Sequence, residues 1–259
     1  MTSPQPATRT KAVLALILLA LAGAACISAG LWQLRRAHER EGLLAAIEAG
    51  RQAPPQVLDA QHRDGPDWHP ASARGHWLNP LTVLLDNRNL KGQPGLWVAT
   101  PLELQDAPGT AVLVLRGWVA RPMPSAALPD LNAAAGTVQV QGTLLHRVPR
   151  LFDLGSLSGR SGNPLPHPFP AADGKPPAVQ NLPLDTLAAA TGLNLLPVVL
   201  QQAPTHDADL IQDWPGPSTD ADQNYNYALQ WFSFAAIALI AAGFTVWRML
   251  RRPSPSEHA

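Results

Sequence analysis

Two stretches of this chain, Ala12 to Leu34 and Gln223 to Trp247, contain no Asp, Glu, Lys, Arg or His. A helix needs about 20 mostly apolar residues to cross the ~30 Å hydrocarbon core of a bilayer, and both stretches reach that length. With two spans, the residues between them form one segment on one side of the membrane. The composition agrees, since 46% of residues are hydrophobic and only 15% are charged, against about a quarter charged in an ordinary soluble protein.

The first stretch has a rival reading. Arg9 and Lys11 precede it and small residues from Ala24 to Ala29 close it, as in a cleaved signal peptide, yet the apolar run outlasts the about 7 to 15 residues of a usual signal core. The second has no such rival. Ala, Ile and Phe fill it, with Tyr225, Tyr227 and Trp231 near one end and Trp247 near the other, where amphipathic rings favour the headgroup level.

Charge supplies an orientation. The net charge of zero hides a separation: residues 1–11 and 248–259 carry Arg9, Lys11, Arg248, Arg251 and Arg252 against Glu257 alone, while the middle of the chain is acidic on balance. Arg35, Arg36 and Arg40, just past the first span, oppose this locally. The second span decides, because five acids from Asp207 to Asp222 precede it and three arginines follow it. Lys and Arg favour cytoplasmic loops, so both termini are expected in the cytoplasm and residues 35–222 on the exported side. The high Ala and Pro content, and an N-terminus without an Arg-rich amphipathic transit pattern, point to a bacterial plasma (inner) membrane with that domain in the periplasm.

The expected class is therefore α+β: transmembrane helices over 12–34 and 223–247 flanking an exported, mainly antiparallel β domain with a short helix. The single cysteine, Cys26, lies inside the first span, where it reads as a small packing residue, so an ordinary core and no disulfide must stabilise the domain. About 180 residues suffice for that. The first helix is expected to run on through Arg35 to Ala49, with Leu43, Leu44 and Ile47 at helical spacing and Gly50 as its stop.

Beyond Ala53 come short runs rich in Val, Leu, Thr and Trp, separated by Gly, Pro, Asn and Asp. Leu81 to Leu85, Leu96 to Leu104, Ala111 to Val119, Thr137 to Leu145 and Leu196 to Gln201 read as strands of an antiparallel sheet or barrel. Val138, Val140, Gly142 and Leu144 alternate with Gln139, Gln141 and Thr143, as in a strand with one wet face. Pro149 to Pro177 is too rich in Pro, Gly and Ser for regular structure. A short helix follows, with Asp185 in its first turn, Leu184, Leu187 and Ala188 on one face and Gly192 at its end.

Common catalytic strings are missing. The sequence has no Gly-x-Ser-x-Gly elbow, no His-Glu-x-x-His, no Cys-x-x-Cys and no Gly-rich phosphate loop. Eight scattered histidines form a metal site only if folding joins them, for example His62 with His69 or His167 with His206. A hydrolase built from His146, Asp153 and Ser156 has no support in spacing, and no nucleic acid is expected as a partner. The expectation is a protein that is not an enzyme.

Four strings stand out against this background. They are Gly30-Leu31-Trp32-Gln33-Leu34-Arg35-Arg36; Asp86-Asn87-Arg88 followed by Gly95-Leu96-Trp97-Val98-Ala99-Thr100-Pro101-Leu102; Leu115-Arg116-Gly117-Trp118-Val119; and Asn224-Tyr225-Asn226-Tyr227-Ala228-Leu229-Gln230-Trp231-Phe232. In these residues, in this order and from the first span to the second, the chain resembles the Surfeit-1 (SURF1) family of membrane proteins required for cytochrome c oxidase assembly.

The resemblance implies a membrane-bound assembly factor for a haem-copper oxidase. It would work with the lipid bilayer, the oxidase large subunit and other assembly factors, in or near the insertion of haem a into that subunit. It also implies a histidine at the mouth of the second span as the iron ligand, but that position here holds Asn224, and an amide oxygen is a poor ligand beside imidazole. Three readings stay open: iron held by His206 or His38, haem held through ring contacts of Tyr227, Trp231 and Phe232, or a haem-free protein-protein scaffold.

The remaining motif residues also have readings without haem. Trp32 suits an interfacial anchor, and Arg36 suits lipid phosphate or the acids of Asp207 to Asp222. Asp86, Asn87 and Arg88 suit a turn at a strand end. Arg88 and Arg116 suit structural salt bridges as well as a buried carboxylate or propionate. Gly117 beside Trp118 suggests a close strand contact beneath a large ring.

Overall fold

The computed structural model describes residues 6–123, 127–152, 164–172, 174–205, 210–216 and 221–251. The fold is α+β, and its residues group into two compact units. One unit is a pair of long helices from the two ends of the chain. The other, residues 46–217, is mainly strands with one short helix.

In the helical unit, α1 (Pro6–Gln52) and α3 (Asp222–Leu250) are long and apolar enough to cross a membrane. Their outward faces carry exposed Leu14, Ile17, Leu18, Leu21, Phe234, Ile237, Leu239 and Ile240, a surface suited to lipid rather than water. The expected helical continuation past the first span is present, and Gly50 falls within its last turn. The helices meet through small residues. Gly23, Gly30 and Ala37 recur every seven residues on the buried face of α1, opposite Ala228, Ala235 and Ala238 of α3. Without a hydrophobic drive inside lipid, such small residues let two helices approach closely and gain dispersion energy. A side chain on Gly30 would begin 2.7 Å from the Phe232 ring.

The strand unit contains β1 (Gln56–Leu58), β2 (Pro70–Trp77), β3 (Val83–Leu85), β4 (Gly95–Leu104), β5 (Thr110–Ala120), β6 (Thr137–Leu145), β7 (Ala178–Val179), α2 (Leu184–Thr191) and β8 (Asn194–Gln202). Pairing runs β2-β6-β8-β5-β4 and returns from β4 to β2, which closes a five-stranded barrel. β1 adds to β2, and β3 with β7 adds to β4. Closure removes the open edges that would otherwise invite pairing with other chains. Most pairs are antiparallel, as expected, but β1–β2, β3–β7 and β5–β8 are parallel.

β5 is buried on both faces, which explains its unbroken apolar run. Val112 and Val114 pack with Leu102, Leu104, Val198 and Leu200 in one core cluster. The alternate residues Leu113 and Leu115 pack with Val83, Leu85, Leu182 and Leu187 in another, and this second cluster anchors α2. Gly192 ends α2 at φ +71°, with its N–H bonded to Ala188 O at 2.9 Å, as a left-handed cap favours glycine.

Leu187, with no exposed surface, is the anchor of α2. Leu187→Ala is expected to lower stability by about 2–5 kcal/mol, measured as a shift in the denaturant midpoint of the detergent-solubilised protein; an unchanged midpoint would show that α2 is not held by this contact.

Candidate functional site

In the strand unit, the second and third strings meet. Asp86, Asn87 and Arg88 do form the turn after β3: Asp86 Oδ1 accepts the Asn87 N–H at 2.5 Å, and Asn87 takes φ +59°, a left-handed conformation that Asn tolerates. Asp86 also pairs with Arg121. The turn sends Arg88 inward, where it is only 4% exposed. Its guanidinium lies 4.5 Å from the Trp97 ring centroid and donates from Nη2 to Gln180 O at 3.1 Å.

A salt bridge was the expected structural role for Arg88, and the structure corrects that. No ion pair reaches Arg88 among the described residues, and its Nε–H is buried without a partner. Burial alone pushes its pKa down to about 10, because a guanidinium removed from water loses hydration that nothing of opposite charge replaces.

Above it, Trp118 donates from Nε1 to Arg88 O at 2.6 Å. The indole lies so close to Gly95 that a Cβ there would meet it at 2.2 Å. The expected glycine beneath a ring is thus Gly95 rather than Gly117. Gly117, at φ +156°, instead gives space to Leu210, whose Cβ would sit 2.8 Å from an added one.

Arg116 owes its position to a β-bulge. Val98 opposes Gly117 while Ala99 opposes Leu115, which leaves Arg116 as the additional residue, and a bulge re-aims the side chain it carries. Arg116 is 4% exposed, donates from Nη1 to Leu131 O at 2.5 Å and lies 5.3 Å from the Trp77 ring centroid. Thr100 is buried with its hydroxyl 3.0 Å from that of Thr82, and Pro101 O accepts the Leu78 N–H at 3.0 Å.

The segment 210–216 is fastened across these motifs. Trp118 and Ile211 exchange backbone hydrogen bonds at 2.8 and 2.9 Å, and Gln212 Nε2 donates to Arg116 O at 3.0 Å. Trp214 donates to Gln202 O at 2.8 Å and meets Trp97 edge-on, with 5.3 Å between centroids. Lys91 pairs with Asp213 at 2.8 Å, which raises the lysine's pKa. Sequence reading missed this strap. Its signal was Trp214, a large apolar ring in a run of acids, Pro and Gly that a solvated linker has no use for.

In the helical unit, Asn224 is 7% exposed, and its Nδ2 donates to Gln33 Oε1 at 2.6 Å. Its Oδ1 is buried without a partner. Tyr225 donates to Glu41 at 2.8 Å, and the His38 ring meets Tyr225 edge-on at 6.3 Å. Tyr227, Trp231 and Trp32 are exposed on the helix surfaces, and Arg36 pairs with Glu39 one turn on, at 3.1 Å.

These residues do not fit haem ligation at the expected position. Asn224 uses its amide nitrogen to bind the other helix, and its remaining oxygen is a neutral, weak donor to iron. Of the alternative ligands, His38 is exposed on α1, and His206 lies outside the described residues. So do Asp153 and Ser156. His146, third member of that hydrolase reading, bonds Asp67 at 2.7 Å and Asp64 at 3.3 Å instead. Among the described residues no cluster of His, Cys, Asp and Glu could hold a metal ion.

Two helices long and apolar enough to cross a membrane and a closed five-stranded barrel define a membrane protein with one mainly-strand domain. The chain belongs to the SURF1 family, whose model matches residues 20–236, a family known generally as oxidase assembly factors. A SURF1-like protein of Mycobacterium tuberculosis (strain H37Rv) is 27% identical over 234 residues, covering 85% of this chain and 77% of its own. A SURF1-like protein of Monosiga brevicollis is 27% identical over 243 residues, covering 86% and 82%.

The His146 contacts predict a pH dependence. Bonding to Asp67 raises the imidazole pKa above its ordinary value near 6.5, so the folded chain binds that proton more tightly than the unfolded chain. This stabilisation is fully present below pH 6.5 and is lost as pH rises through the raised value. The melting temperature of the parent protein should exceed that of His146→Gln below pH 6.5, with the gap closing as pH rises through the raised value; a gap independent of pH would contradict the pairing.

Proposed function

We propose that this protein is an assembly factor for a haem-copper (cytochrome c) oxidase, held in a bacterial plasma membrane with both termini cytoplasmic and the barrel in the periplasm. It acts by binding and positioning the oxidase large subunit, together with other assembly factors, and not by catalysing a reaction. Support comes from the family and from the acidic approach and basic exit of the second span.

Support for a haem-free reading comes from the Asn224–Gln33 amide pair. It uses the ligand position to join two helices, which favours a haem-free scaffold over a carrier of haem a. The second reading, in which haem a is held through His38 or through ring contacts of Tyr227, Trp231 and Phe232 during insertion into the large subunit, keeps the support of an imidazole and exposed aromatic rings on the same helix pair.

Two measurements decide. Deleting the chain should reduce haem-copper oxidase activity in membranes; unchanged activity would end the assembly reading. The protein purified from cells that make haem a should show no Soret band. A band that disappears on replacement of His38, Tyr227 or Trp231 would favour the carrier reading instead.

A further inference from the structure

Arg88 is a full positive charge placed inside the strand unit with half of its fork unused. Nη2 is held by a backbone carbonyl, the ring of Trp97 supports one face, and Nε–H points at no acceptor. A carbonyl dipole and a π face offset only part of what a buried cation loses in leaving water. Proteins usually settle such a charge with a carboxylate, whose two oxygens match the guanidinium edge. Arg116, similarly buried, shows the contrast, because the Leu131 carbonyl gives its guanidinium a close contact at 2.5 Å.

The wall beside Arg88 is lightly built. Gln180 donates to Phe152 O at 3.2 Å, and Asn181 exchanges two hydrogen bonds with Leu151 at 2.8 and 3.0 Å. Beyond these, Phe152 exposes 76% of its surface. Gln180 links the two, its carbonyl bonded to Arg88 and its side chain to Phe152 O, so an unsatisfied guanidinium edge and an exposed apolar ring share one segment, a combination suited to recognising a carboxylate with neighbouring apolar surface.

We propose that Arg88 is the receiving cation of a carboxylate-binding site in the strand unit, with Trp97 as its backing and the Gln180–Asn181 segment beside it, filled by an acidic side chain of a partner polypeptide. The shared chemistry is a carboxylate on the Nε–Nη2 edge. Its one rival source is this chain itself, through Asp153, which follows Phe152 in sequence and lies outside the described residues.

The probe is sodium acetate, titrated against sodium chloride of equal ionic strength at neutral pH, with the melting temperature of the full-length protein in detergent as the readout. Acetate should raise the melting temperature saturably, by about 4 °C at tenfold the half-saturating concentration. Arg88→Lys keeps the charge but loses the fork, and should need at least about tenfold more acetate for the same shift; Arg88→Met should not respond. If Arg88→Met does not fold, Arg88→Lys alone carries the comparison. A parent protein indifferent to acetate overturns the proposal. So does a response unchanged in Arg88→Lys, or a response that appears only in Asp153→Asn, which would assign the fork to the chain's own acid.

Discussion

The exclusion of charge from two stretches constrains everything else in this molecule. Each large apolar side chain on the outer faces of α1 and α3 would lose about 1.5–3 kcal/mol if left in water, and there are many of them on both helices. A bilayer removes that cost, but it also demands that every backbone group in the span be bonded internally. Helices satisfy the demand, and the seven-residue spacing of Gly23, Gly30 and Ala37 then lets the two pack without a hydrophobic drive. Asn224 and Gln33 fit the same logic, since a polar pair inside a helix contact is tolerated when each side chain finds the other.

The strand unit solves a different problem, which is to present a stable surface with no cysteine cross-link. Barrel closure pairs β2, β4, β5, β6 and β8 with one another, and β5 contributes to core on both faces. Several residues of the family-like strings make close structural contacts. Gly95 leaves space for Trp118, Gly117 leaves space for Leu210, and the bulge at Arg116 offers its carbonyl to Gln212. Arg88 differs from these because its contacts do not satisfy it.

Much of this was legible in the sequence, for identifiable reasons. Both long apolar helices, the continuation of α1, the short helix ending at Gly192 and five of the strands carry strong local signals of charge, periodicity or capping. β2 was not legible: Pro70–Trp77 reads Pro-Ala-Ser-Ala-Arg-Gly-His-Trp, with no β-branched residue, and it pairs because β6 and β4 accept it. β1 and β7, at three and two residues, are too short to leave a pattern. The parallel β5–β8 pairing and the partners of Arg88 depend on tertiary placement, which no local window contains. Asn224, where the resemblance implies a histidine, was visible in the sequence, but its partner, 191 residues away, was not.

As an assembly factor, the protein would use its membrane helices for anchorage and its barrel for contact, so the side of the membrane on which the barrel lies decides whether the account can be right. The most direct measurement replaces Cys26 with Ser, introduces a single cysteine by Gln139→Cys on the exposed face of β6, and treats intact cells with a membrane-impermeant maleimide. The account predicts labelling without permeabilisation. Labelling that requires the cytoplasmic membrane to be breached first would contradict it.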